Sequence, residues 1–103
     1  MRIFLCCSAG MSTSMLVNKM QQAAQAKGID CTINAYSISE FEESLAQNDV
    51  CLVAPQVKFK FEHFKQRAEE AGKACGLIDM MSYGMMKGDA ILDQALELYR
   101  STR

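Results

Sequence analysis

Tryptophan is absent from this chain, proline and histidine occur once each, and neither sign of charge is in excess: 11 Lys and Arg stand against 12 Asp and Glu, a net charge of -1. Without a basic excess there is no sequence-wide field to release counterions from a phosphate backbone, which excludes nucleic acid as the expected partner. The lone His63 and the absence of any CxxC pair leave no ligand set at metal-binding spacing, so neither a metal nor a cofactor is expected. Nucleotide-binding signatures, GxxxxGK[ST] and GxGxxG, are missing as well. The longest apolar runs, such as 50–55, fall far short of the roughly 20 residues that cross a bilayer, so no direct membrane insertion is expected. Arg2 leads straight into a strand-like run rather than a signal-peptide core, and the expectation is a cytoplasmic protein.

What is there is a globular composition. Half of the 103 residues are hydrophobic, enough for one core, and a single domain over 1–103 is expected. The five cysteines are an odd number without a secretory signal, which argues for free thiols rather than a disulfide framework.

The pattern along the chain alternates strands with helices. Arg2 to Cys6 is a short β-favouring run that stops at a cluster of small residues. From Ser12 the apolar positions Leu16, Met20 and Ala23 or Ala24 recur at helical spacing until Gly28. Ile29, Cys31, Ile33 and Ala35 alternate with polar residues, the signature of an edge strand with one wet face. Ser39-Glu-Phe-Glu42 reads as a capping box that opens a short helix to Gln47. Val50 to Ala54 is apolar throughout, as in a central parallel strand, and Pro55 closes it. Val57, Phe61, Phe64, Ala68 and Ala71 predict one continuous helix ended by Gly72. Ala74 to Ile78 reads as a fourth strand, the stretch from Asp79 to Gly88 as irregular, and Ile91, Ala95 and Leu98 as marking a terminal helix. The implied fold class is α/β: a four-stranded parallel sheet of order 2-1-3-4 with helices on both faces, flavodoxin-like. Ligands of such sheets bind past the C-terminal strand ends where the order reverses, here between the first and third strands.

The segment at that point is Cys7-Ser8-Ala9-Gly10-Met11-Ser12-Thr13-Ser14. Small residues between a strand and a helix let successive amides converge on one anion, as a phosphate requires. Cys7 would face those amides and the positive end of the helix dipole, which favour the thiolate, and a thiolate beside an anion site is a phosphoryl acceptor. Tight packing alone also selects small residues in such turns. Cys6, which strand alternation turns away from Cys7, is expected to be a small buried hydrophobe, as are Cys31, Cys51 and Cys75. Lys58, Lys60, Lys65, Arg67 and Lys73, interrupted by glutamates, predict a solvated helix face. Met80, Met81, Met85 and Met86 predict core filling, with an adaptable partner-binding rim as the alternative.

These residues resemble enzyme IIB of the lactose/cellobiose (chitobiose) family of the phosphoenolpyruvate-dependent sugar phosphotransferase system. The loop from Cys7 to Ser14, Ala54-Pro55-Gln56, and Ile78-Asp79 followed by Tyr83-Gly84 are similar to family segments in order and spacing. The resemblance implies that Cys7 takes a phosphoryl group from a phosphohistidine of a cognate IIA. It then passes the group to a sugar of cellobiose, lactose or chitobiose type held by the membrane transporter IIC, to which the protein would be peripheral. Ser8, Ala9, Gly10, Met11, Ser12, Thr13 and Ser14 would form the phosphate cradle, and Gln56 and Tyr83 a rim. Fold and loop also look like low-molecular-weight tyrosine phosphatases, but Thr13 stands where their arginine would be, so no guanidinium clamps the phosphate. A phosphatase-like enzyme and a thiol redox or regulatory binding module are the alternative readings.

Overall fold

The computed structural model describes residues 1–8 and 11–102, with Met11, Ser12 and Thr13 as backbone only. Ala9 and Gly10 of the expected cradle lie outside the described residues. Strands β1 (Arg2–Cys7), β2 (Thr32–Ser37), β3 (Val50–Val53) and β4 (Ala74–Leu77) form one parallel sheet in the order β2-β1-β3-β4. Helices α1 (Met11–Lys27), α2 (Phe41–Gln47), α3 (Phe61–Glu70), α4 (Met80–Gly84) and α5 (Gly88–Ser101) connect and flank it. This is the predicted fold class and strand order.

Burial explains the order. β3 is buried at all four positions and β1 at all but Arg2, as central strands covered on both faces must be. β2, with Thr32 and Asn34 exposed, takes one edge. Alternation along β1 sends Ile3 and Leu5 into a core shared with Leu16 and Met20 of α1 and Ile91 and Leu92 of α5. It sends Phe4 and Cys6 into a second core with Phe41 of α2 and Phe64 and Ala68 of α3. Phe41 and Phe64 stack in that second core with centroids 3.8 Å apart.

Several local expectations change. β2 starts at Thr32, whose amide joins the ladder by donating to Met1 O at 3.0 Å; Ile29 and Cys31 are half-buried against the core but precede the strand. The expected capping box does not form. Ser37 caps instead, its hydroxyl accepting from Ser39 N at 3.2 Å, and a 3₁₀ turn at Ile38–Glu40 leads into α2. The predicted helix from Val57 is broken, because Pro55–Lys60 is a 3₁₀ segment with non-helical φ/ψ at Val57, and α3 begins only at Phe61. The stretch after Asp79 is ordered as α4 rather than irregular.

Two contacts tie the layers together. Gly88 abuts α1 so closely that a Cβ there would lie 2.6 Å from the Lys19 carbonyl carbon and 2.7 Å from Met20 N. Lys73, expected on a solvated face, is half-buried, and its Nζ donates to the carbonyls of Leu45, Ala46 and Asn48 at 2.9, 3.2 and 2.7 Å. It thereby satisfies the orphan acceptors at the C-terminal end of α2.

Candidate active site

Cys7 is the last residue of β1, and its position follows from where the ladders stop. Pairing of β1 with β3 ends at Cys6↔Val53, while pairing with β2 continues one residue further to Cys7↔Ser37. Cys7 is therefore bonded to the sheet on one side only, at the point where the strand order reverses. Its side chain is 3% exposed, and Sγ donates to Tyr36 O at 3.7 Å. The alternation expected to turn Cys7 away from Cys6 lapses at this strand end: both thiols belong to the Phe4-side core.

Helix α1 opens four residues later. The first amides of a helix have no intrahelical acceptor, and a 17-residue helix presents the positive end of its dipole there. No acidic side chain occupies its first turn to neutralise that end. Ser8 and Ser14 are exposed on either side of the undescribed pair. Gln56 is exposed in the 3₁₀ segment that follows β3, and Tyr83, half-buried in α4, packs against both cores. The structure thus brings Cys7, the start of α1, Gln56 and Tyr83 to one end of the sheet.

Cys6 and Cys51 share the Phe4-side core with Cys7, and their thiols are displaced upward. Burial, then the neighbouring Cys7 and Cys75 thiols, push Cys6 up to about 12, so it stays protonated at neutral pH. Burial and a hydrogen bond with Cys75, its register partner on β4, push Cys51 well above its ordinary value. Cys31 is half-buried rather than buried. Among the described residues no three His, Cys, Asp or Glu side chains converge as a metal ion would need, and no helix is long and apolar enough to cross a membrane. An open hollow of about 570 Å³ is walled by α5 alone, from Gln94 to Ser101, and is not part of this end of the sheet.

Residues 2–94 match the family model of the lactose/cellobiose-specific IIB subunit of the phosphotransferase system. The chain belongs to that family. A galactose-specific EIIB component of Lactococcus lactis subsp. cremoris is 45% identical over 101 residues, covering 93% of this chain and 94% of its own length. A cellobiose-specific EIIB component of Lactococcus lactis subsp. lactis is similar to the same extent, 45% over 101 residues, with the same coverage. The solution structure of a cellobiose-specific IIB component from Borrelia burgdorferi superposes with a TM-score of 0.83 at 34% identity, covering 99% of this chain and 94% of that one. This IIB chain is therefore an enzyme of phosphoryl transfer in a sugar phosphotransferase system, and membership implies partners of the IIA and IIC classes.

The sequence pattern ended the first strand at Cys6, one residue short of its observed end at Cys7. It missed Asp79 and Lys73 as structural ligands of backbone groups. It also misjudged the methionines: Met80, Met81 and Met85 are 66%, 68% and 63% exposed, and only Met86 packs against the core. Met80 and Met81 form the exposed first residues of α4, and Met85 follows its end.

Proposed function

We propose that Cys7 is the phosphoryl acceptor. A phosphohistidine of a cognate IIA gives up its N–P bond as the Cys7 sulfur forms an S–P bond. The S–P bond then breaks as a hydroxyl of a sugar held by IIC takes the phosphoryl group. The placement of Cys7 at the end of β1, beside the start of α1 at the point of strand-order reversal, carries this reading. Phosphoryl transition states are loose, so positioning and neutralisation of the equatorial oxygens are the main demands on the protein. Backbone amides and hydroxyls of Ser8 to Ser14 are assigned that task, with Gln56 and Tyr83 at the rim.

The exposed apolar surface supports docking at the same end. Among the described residues the large exposed hydrophobics are Met15, Phe59, Leu77, Met80, Met81 and Met85; Leu77 ends β4, and Met80 and Met81 open the helix that follows it. Methionine suits a surface that must meet IIA and then IIC. Relatives of equal identity are named for galactose and for cellobiose, so the reading extends to a β-linked sugar of the lactose, cellobiose or chitobiose type, with the choice made by IIC. Residues 1–103 act in this reading as one domain on the cytoplasmic side of IIC.

The test is intact-mass analysis after incubation with phosphoenolpyruvate, the two general phosphotransferase proteins and a lactose/cellobiose-type IIA. One phosphoryl adduct is expected on wild type and Cys6→Ser and none on Cys7→Ser. An adduct that survives Cys7→Ser, or none on wild type with the IIA itself phosphorylated, overturns the assignment.

A further inference from the structure

Asp79 has no role in the chemistry above, yet the segment from Ile78 to Gly88 that holds it and the rim residue Tyr83 is tied down at both ends. Ile78 is fully buried, and its amide donates to Val53 O at 2.9 Å, extending the ladder past β4 and fixing Asp79 at the end of the sheet. Asp79 Oδ2 accepts from Ser82 N at 3.0 Å, and Asp79 O accepts from Tyr83 N at 2.9 Å. At the far end Lys87 N donates to Ser82 O at 2.9 Å, and Met86 holds φ 53, a left-handed conformation costly for a residue other than glycine. Gly88 follows, wedged against α1.

Helix α4 between these anchors has only five residues, too few to persist by its own hydrogen bonds. Its cap and the inward packing of Tyr83 against both cores supply what the length does not. The same turn that points Tyr83 inward leaves Met80, Met81 and Met85 in solvent.

We propose that Asp79 is a positioning residue: through its cap on Ser82 it holds α4 in the conformation that presents Met80, Met81 and Met85 to the phosphoryl-donor protein, and it carries no proton in the transfer. This inference rests on the Cys7 reading and on the rim as a docking surface.

Asparagine and serine cap as well as aspartate but carry no charge, whereas alanine does not cap. The experiment compares wild type with Asp79→Asn, Asp79→Ser and Asp79→Ala in three measurements: NMR titration with a lactose/cellobiose-type IIA, single-turnover transfer from the phosphorylated IIA at saturation, and amide exchange. Asp79→Ala is expected to speed exchange of the Ser82 and Tyr83 amides about fivefold, the shift in opening equilibrium a lost cap produces, and to weaken IIA binding by up to the same factor. Its saturated transfer rate should stay within about twofold of wild type. Asp79→Asn and Asp79→Ser should match wild type in all three, which keeps the test alive if the alanine variant does not fold. The inference is overturned if the asparagine and serine variants fall as far as alanine, if alanine matches wild type, or if the transfer rate drops while binding holds. Failure of wild type to accept phosphoryl on Cys7 would instead sink the underlying reading, and the exchange data would still judge the cap.

Discussion

The Cys7 thiol donates to the Tyr36 carbonyl on the neighbouring strand at 3.7 Å. Phosphorylation of sulfur removes the proton that this carbonyl accepts. The end of β2 should therefore report the state of Cys7, with the Tyr36 carbonyl carbon and the Ser37 amide among the largest chemical-shift changes outside the cradle. Cys7→Ser, which keeps a donor, should change stability by less than about 1 kcal/mol while abolishing phosphorylation. Shifts confined to α1, with Tyr36 and Ser37 unmoved on phosphorylation, would show that the bond plays no part.

Glycine substitutions at Gly88 and Gly76 should separate two kinds of crowding. A Cβ on Gly88 meets main-chain atoms of Lys19 and Met20, which cannot yield without moving α1. A Cβ on Gly76 meets Leu98 Cδ1 at 2.5 Å and Gln94 Nε2 at 3.1 Å, both far ends of flexible side chains. Overpacking of this kind costs about 1 to 3 kcal/mol. Gly88→Ala is expected at or above the upper end and Gly76→Ala at the lower. Urea denaturation of both variants checks the order, and a Gly76→Ala loss equal to that of Gly88→Ala would contradict it.

These contacts also mark where sequence reasoning stops. Sheet order was readable because a strand covered on both faces is apolar at every position, as in Val50 to Val53, while an edge strand alternates, as in Thr32 to Ala35. The end of β1 was readable to within one residue because a strand followed by small residues is a local pattern. The local pattern pointed to Ser39 as cap, but Ser39 lies inside the 3₁₀ turn that Ser37 caps, and only the backbone path decides this. Local patterns could not reveal the break at Val57, because apolar spacing runs through it unchanged. The turn Met80–Gly84 is too short to show a helical period. Lys73 reaches acceptors 25 to 28 residues away, a partnership with no local signature.

Lys73 gives the third prediction. Its three bonds to the end of α2 place a cation where the helix dipole is negative and where carbonyls lack partners. Lys73→Met keeps most of the aliphatic stem and removes the donors, and should cost about 1 to 3 kcal/mol. Lys65→Met, at an exposed residue 5.9 Å from the Phe61 ring, should change stability by less than about 1 kcal/mol. Equal effects in urea denaturation would mean that the cap contributes nothing beyond a surface charge.

Alkaline pH provides the last. Cys6 is raised from 9.0 to about 12, chiefly by burial. The unfolded chain therefore releases this proton first, and above its unfolded value the native state binds more protons than the unfolded one. Stability from this group is fully present below about pH 9 and declines as pH rises toward 12, by up to about 4 kcal/mol over the whole window. Cys51, displaced in the same direction, adds to the decline. Cys6→Ala should lose about 1 kcal/mol at pH 7 to the small cavity it leaves, yet fall less steeply between pH 9 and 11. Lysine and tyrosine titrations are common to both proteins and cancel in the difference. Urea denaturation of the pair at pH 7, 9, 10 and 11 decides the matter: converging curves support a buried, protonated Cys6, and parallel curves would show that its thiol ionises as freely in the native sheet as in the unfolded chain.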